Sequence, residues 1–272
     1  MSLLLLALSS ICWGVTPAAE LETATSFNTL GARVNGGFGL EESFWADREH
    51  ELFGDSGARA GIDLSLSPSY LRIGPSVSIA PLAIWEVEAH ATVSPYFGTF
   101  SSLVGFDDPD AVYSETVLDQ AADDGRRTEG LITQVGFKNS FRMKFGPLVT
   151  VAEGEWEFWW LHENASLTED YYFEPESKLL LARTDQTTSW DLAALIDTPG
   201  MRKGRSLYLG VLTTDERAHQ SQDRNLRVGP MAVLKLNEGL TEHLLLVQAW
   251  AENRVLSSFP PYIAIRSRYQ FK

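Results

Sequence analysis

Residues 131–160 read LITQVGFKNSFRMKFGPLVTVAEGEWEFWW. Two runs of period-two alternation flank a break at Gly146-Pro147. Before the break the apolar positions are odd: Leu131, Val135, Phe137, Phe141, Met143 and Phe145. Gln134, Lys138, Ser140, Arg142 and Lys144 are even. Beyond it the parity reverses, with Leu148, Ala152, Trp156, Phe158 and Trp160 even and Glu153, Glu155 and Glu157 odd. A two-residue turn at Gly146-Pro147 sets Phe145 against Leu148. Lys138 then falls opposite Glu155, Ser140 opposite Glu153, Phe137 opposite Trp156, and Val135 opposite Phe158. A type II′ turn that opens on glycine suits the twist, and the proline after it need not donate a hydrogen bond. The pattern predicts an antiparallel hairpin with one aromatic face and one face of Lys and Arg opposite Glu. A soluble β-protein would bury the aromatics, whereas a transmembrane barrel would turn them to lipid and the charges to its lumen.

The chain has 272 residues, a formal charge of −14 and a pI near 4.8. An acidic balance argues against a nucleic-acid partner, because phosphate binding needs clustered Lys and Arg. No apolar run after residue 20 is long enough for a spanning helix, but a barrel escapes that criterion because alternate residues face the lumen. The start, MSLLLLALSSICWGVTPAAE, has an apolar run from Leu3 to Val15 followed by small residues. It reads as a secretory signal spanning 1–19, cleaved after Ala18 or Ala19, with the mature domain at 20–272. Cys12, the only cysteine, falls within it, so neither a disulfide framework nor thiol chemistry is expected of the mature chain.

The same alternation recurs along the chain. A Gly-rich first strand is expected at 27–40, then strands at 58–67, 70–80 and 84–93. In the last of these Trp85, Val87, Ala89, Ala91 and Val93 oppose Glu86, Glu88, His90 and Thr92. A polar segment from Gly98 to Glu129 follows, with helical character near 115–122. After the 131–160 hairpin, strands are expected at 171–182 (interrupted by Pro175), 190–196, 206–214, 225–236, 241–253 and 262–271. A turn at Asn237–Leu240 sets Lys235 against Glu242. Tight breaks lie at Pro68-Ser69, Pro81-Leu82, Gly146-Pro147 and 237–240, whereas 41–57, 98–129, 162–169 and 215–224 are long and polar.

Together with the C-terminal end YIAIRSRYQFK, these features resemble bacterial outer-membrane β-barrel proteins. In that family the last strand alternates and ends in an aromatic residue read by the barrel-assembly machinery. Tyr269 and Phe271 fit, although Lys272 follows Phe271. The resemblance implies an all-β fold, a closed antiparallel transmembrane barrel of about 10–12 strands with long polar loops on one side. It also implies the outer membrane of a Gram-negative-type bacterium as location, with its lipid and the assembly machinery as partners. Phe137, Trp156, Phe158 and Trp160 would then face lipid, and Trp85 and Tyr269 would join them in an interfacial girdle. The lumen would hold Glu86, Glu88, His90, Lys138, Arg142, Glu153, Glu155, Arg266 and Arg268. Mixed signs favour a plugged or salt-bridged interior over a wide single-sign pore.

The expected role is structural, or the passage or binding of a small solute, without catalysis, cofactor or metal. The enzyme alternative rests on His219, Ser221 and Asn225, which resemble the His-x-Ser pair and following Asn of outer-membrane phospholipase A. A histidine that takes a serine proton could hydrolyse an ester. The Asn-Gly that follows the serine in that family is replaced here by Gln222-Asp223. The other alternative is a soluble, secreted lipocalin-like barrel. The Asp-rich segment 107–124 offers carboxylate oxygens suited to Ca²⁺, but it lacks EF-hand spacing and reads as a hydrated loop.

Overall fold

The computed structural model describes residues 15–27, 31–44, 56–98, 103–111, 113–162, 169–199, 204–236, 241–252 and 261–271. Residues 1–14, with Cys12, and the turn at Asn237–Leu240 lie outside the described residues.

Twelve antiparallel strands close on themselves: β1 (Thr16–Phe27), β2 (Gly31–Ser43), β3 (Gly57–Leu66), β4 (Leu71–Leu82), β5 (Trp85–Phe97), β7 (Arg127–Phe145), β8 (Leu148–His162), β11 (Thr184–Thr198), β12 (Ser206–Ala218), β13 (Arg224–Leu236), β14 (Thr241–Glu252) and β15 (Tyr262–Phe271). Each pairs with its sequence neighbour, and β1 pairs with β15 to complete the ring. Closure leaves no edge strand unpaired, which a lipid-exposed sheet requires.

The β7–β8 register is the one its parity predicts: Phe145 faces Leu148, Lys138 faces Glu155, Ser140 faces Glu153, and Phe137 faces Trp156. Gly146 takes a positive φ of 58°, as a tight turn opening on glycine requires. Lys235 likewise faces Glu242 across β13–β14.

The aromatic and aliphatic faces point outward. Phe137, Phe141, Met143 and Phe145 on β7 are exposed, as are Leu148 and Trp160 on β8. Trp156 forms an edge contact with Phe137, with ring centroids 5.5 Å apart, and packs on Phe158 at 4.8 Å. Phe158 in turn stacks on Trp160 at 6.0 Å. Each of the other ten strands also exposes at least one large apolar side chain, from Leu21 on β1 through Phe38, Ile62, Val77, Trp85, Leu192, Leu209, Val228 and Leu245 to Ile265 on β15.

The remaining elements are β6 (Leu103–Phe106), α1 (Glu115–Asp123), β9 (Tyr171–Glu174) and β10 (Leu179–Ala182). The three strands join β7 in a second small sheet, β7–β6–β9–β10, at one end of the barrel. The expected barrel strand at 171–182 is therefore corrected to a hairpin outside the ring. The reason lies in its pattern: Leu179, Leu180 and Leu181 are consecutive and all buried, so both faces are covered. The packed apolar core sits here. One cluster joins Tyr70, Tyr96, Ile132, Trp159 and Leu179, and another joins Val104, Phe106, Tyr113, Phe173 and Leu180.

Three other expectations are corrected. The first strand is not 27–40: β1 begins at Thr16 and β2 at Gly31, so Thr16–Ala19 are strand residues. Residues 185–189, left outside the strand expected at 190–196, belong to β11. The 41–57 connection lies at the end of the tight β7–β8 turn, opposite the 98–126 and 163–183 connections, so the long polar loops do not all share one side. The long β2 and β3 pair to Ser43–Gly57, which carries that connection to the short-turn end.

Candidate functional site in the barrel lumen

Because alternate residues turn inward, twelve strands bring polar side chains from distant sequence positions into one cavity of about 1400 Å³. Glu88, His90, Arg142, Glu153, Glu155, Arg266 and Arg268 line it. Lys138 and Glu86 join the same network, Lys138 at 2.9 Å from Glu153 and Glu86 at 3.8 Å from Arg142. Lys138 thus pairs diagonally with Glu153 although Glu155 is its register partner. On the opposite arc Arg268 donates to Glu20 at 2.7 Å and Arg266 lies 3.5 Å from Glu22.

His90, Gly136 and Glu157 stand at one level on three adjacent strands. Since Gly136 has no side chain, His90 and Glu157 meet across it, with His90 Nε2 3.0 Å from a Glu157 oxygen. A Cβ at position 136 would come within 2.9 Å of that nitrogen.

Not all of the lumen is polar. Val151, Leu195, Leu212, Met231, Val233 and Leu246 line the same cavity and form an apolar wall on β8 and β11–β14. Sequence reasoning missed this wall, because runs such as Leu244-Leu245-Leu246-Val247 are apolar on both faces and show no alternation.

The β9–β10 hairpin reaches into the lumen from the end that carries the larger insertions. At its tip Glu176 meets Arg72 at 2.8 Å, accepts the Tyr70 hydroxyl proton at 2.9 Å, and also pairs with Arg33. Burial works against the charged Glu176 carboxylate, but Arg72 and Arg33 outweigh it and hold its pKa down at about 2. Glu174 accepts the Tyr96 hydroxyl at 2.6 Å and the backbone N–H groups of Glu176 and Ser177. Burial, reinforced by Glu176, raises the Glu174 carboxyl above the ordinary range. Lys178, in the left-handed region at φ 59°, lies 4.0 Å from the Tyr262 ring centroid. Burial and then Arg227 lower its pKa to about 7.

The residues considered for ester hydrolysis are arranged differently. The Ser221 side chain is buried, and its hydroxyl donates to the Leu180 carbonyl oxygen. His219 instead bonds Thr188 through Nε2 at 3.1 Å. Asn225 donates to Glu216 at 3.0 Å and to the Ser177 carbonyl at 3.3 Å. The connection 219–223 is held by buried carboxylates: Asp185 accepts the N–H of Gln220 at 2.8 Å, and Asp223 accepts the N–H of Leu180 at 2.7 Å. These bonds tie the hairpin to the barrel rim.

A closed antiparallel barrel with an outward apolar surface and a charged interior is the architecture of bacterial outer-membrane β-barrels. No protein-family model matches the chain, nor does any curated protein. Among solved structures it is similar to the β domain of the Bordetella autotransporter BrkA, with a TM-score of 0.48 and 11% identity over 94% of this chain and 99% of that one. It is also similar to the KdgM porin in complex with disordered oligogalacturonate, with a TM-score of 0.43 and 7% identity over 94% and 99%. The translocator domain of the autotransporter NalP from Neisseria meningitidis gives a TM-score of 0.43 and 11% identity over 100% and 94%.

Proposed function

We propose that this chain is an outer-membrane barrel of a Gram-negative-type bacterium whose lumen binds or slowly passes a small solute, without catalysis by His219 and Ser221. One observation carries the reading: all twelve barrel strands turn large apolar side chains outward around an interior of paired charges. Such a continuous apolar belt far exceeds the patches that soluble monomers expose, and it speaks against a soluble lipocalin-like barrel. The hairpin tip with Glu176 and Lys178 acts as a constriction, so passage is narrow. A solute suited to this lumen presents polar groups to the β5–β8 arc and an apolar part to Leu195, Val233 and Leu246.

We extend the proposal to the chain's export. A signal over 1–19 cleaved after Ala19 would leave Glu20 as the new N-terminus. Of the β1 residues paired with β15 only Ala19 would be lost, and the pairs from Glu20–Gln270 to Phe27–Ile263 would remain, so the closing seam would survive processing. The assembly machinery would read β15, whose outward Tyr269 and Phe271 are exposed.

Membrane fractionation of expressing cells, followed by gel mobility with and without boiling, tests the location. Recovery in the outer membrane with a heat-modifiable band is expected; recovery in the soluble fraction without detergent would overturn it. Planar-bilayer recording of the refolded barrel then tests passage: small, infrequent conductance steps are expected, and a large steady conductance would refute the constriction.

A further inference from the structure

We propose that the lumen holds a divalent transition-metal ion at His90, Glu155 and Glu157. One ligand atom from each lies within 4.8 Å of the other two, and His90 Nε2 is 3.0 Å from Glu157 and 3.8 Å from Glu155. A tetrahedral ion with bonds of about 2.0–2.1 Å sets its ligand atoms roughly 3.3 Å apart, so these separations bracket the required span. Imidazole with carboxylates is a donor set for Zn²⁺, Mn²⁺ or Fe²⁺ rather than for Mg²⁺. Three protein ligands leave a fourth position facing the lumen.

Two further features support a built site. The glycine between the ligands is the first. A Cβ at Gly136 would lie 2.8 Å from Glu157 Cγ as well as 2.9 Å from His90 Nε2, so only glycine leaves the imidazole and carboxylate this space. The second is an outer shell. Gln134 is fully buried, donates to Glu157 at 3.4 Å, and accepts from Thr92 at 3.1 Å and Ser94 at 3.4 Å. It fixes the carboxylate as outer-shell partners fix metal ligands. Glu88, 4.0 Å from His90 Nδ1, is placed to orient the other ring nitrogen. Charge points the same way: Lys138 makes its closest pair with Glu153, and the carboxylates of Glu88, Glu155 and Glu157 gather within 3.0–4.0 Å of the His90 ring nitrogens.

The inference rests on the lumen geometry and not on the membrane reading, and its test is done on the full-length barrel refolded in detergent without a histidine tag. Calorimetric titration with ZnCl₂ is expected to show one saturable equivalent per chain. Co²⁺ is expected to give the intense visible bands of a tetrahedral site. His90→Ala and Glu157→Gln should each weaken binding at least tenfold. Gly136→Ala should weaken it too, while Asp197→Asn at the short-turn rim leaves it unchanged. Heat-modifiable gel mobility checks that each variant is folded. If His90→Ala does not fold, Glu157→Gln, which keeps the side-chain volume, decides alone. Absence of saturable binding by the wild type, or equal affinity in the folded variants, would overturn the proposal.

Discussion

The Arg72 guanidinium of β4 lies 2.8 Å from the carboxylate of Glu176, which projects from a hairpin inside the barrel. Arg33 on β2 and Tyr70 reach the same carboxylate. The hairpin is therefore anchored to the wall opposite its own attachment, and the anchor is electrostatic.

Glu176→Gln should release that anchor. Two half-buried cations lose their shared counter-charge, although Arg33 keeps Glu22 at 3.9 Å, a change worth on the order of 1–2 kcal/mol of docking free energy. The folded pKa of Glu176 is depressed to about 2 from an ordinary 4.5. Its contribution is thus fully present above 4.5 and is lost as the pH falls through 2. At neutral pH the variant should show faster amide exchange over residues 171–182 and larger conductance steps, while β1–β5 keep wild-type protection.

Lys178 makes the opposite kind of contribution. Its folded pKa, about 7, lies below the unfolded value of 10.5, so the unfolded chain binds the extra proton between these two pH values. Stability from this group is full above 10.5, declines as the pH falls towards 7, and is constant below that. The denaturation midpoint of wild type relative to Lys178→Met should rise from pH 7 to pH 10. A flat difference would show that Lys178 stays charged in the docked hairpin.

The connection 219–223 offers a paired test. Asp223→Ala removes a buried acceptor from the N–H of Leu180 and the Tyr113 hydroxyl and should cost ~1–3 kcal/mol. Ser221→Ala removes the hydroxyl that donates to the Leu180 carbonyl and should cost about 1 kcal/mol. Neither form of Ser221 is expected to hydrolyse a p-nitrophenyl ester. Activity that disappears in Ser221→Ala would restore the hydrolase reading.

The outer surface can be probed at Val77, in the middle of β4 and 56% exposed. Val77→Arg should destabilise the barrel in a bilayer by ~2–4 kcal/mol, whereas Val77→Leu should be nearly neutral. Reversible urea unfolding in liposomes measures both. In the same spirit, Trp156→Cys should resist a water-soluble thiol reagent in liposomes.

Much of the ring was legible where one face of a strand is polar and the other is apolar, as on β5 and β7. Parity alone gave the pairing of Lys138 with Glu155 and Phe137 with Trp156, since a one-residue slip would invert both faces. The hairpin 171–182 was not legible as an insertion, because burial on both sides erases alternation at Leu179–Leu181. The apolar wall at Leu195, Val233 and Leu246 was hidden for the same reason. His90 stood out as an inward residue, but its meeting with Glu157 depends on Gly136, a small residue whose importance only the three-strand register reveals. The start of β1 escaped because Thr16–Ala19 lie in a stretch that also reads as a cleavage region.

The β1–β15 seam has a kinetic consequence. Ala19 meets Phe271, and Phe27 meets Ile263, so the contacts that shut the cylinder join residues almost a full chain apart. Contacts of such long sequence separation form slowly, since the loop-closure entropy must be overcome before they are made. Until β15 arrives, β1 presents an open hydrogen-bonding edge beside a greasy surface, the combination most prone to aggregate. Circular permutants that move the break to the Gly146-Pro147 turn would relocate that vulnerable interval to β7 and β8, where Lys138 and Arg142 pair with Glu153 across the strands.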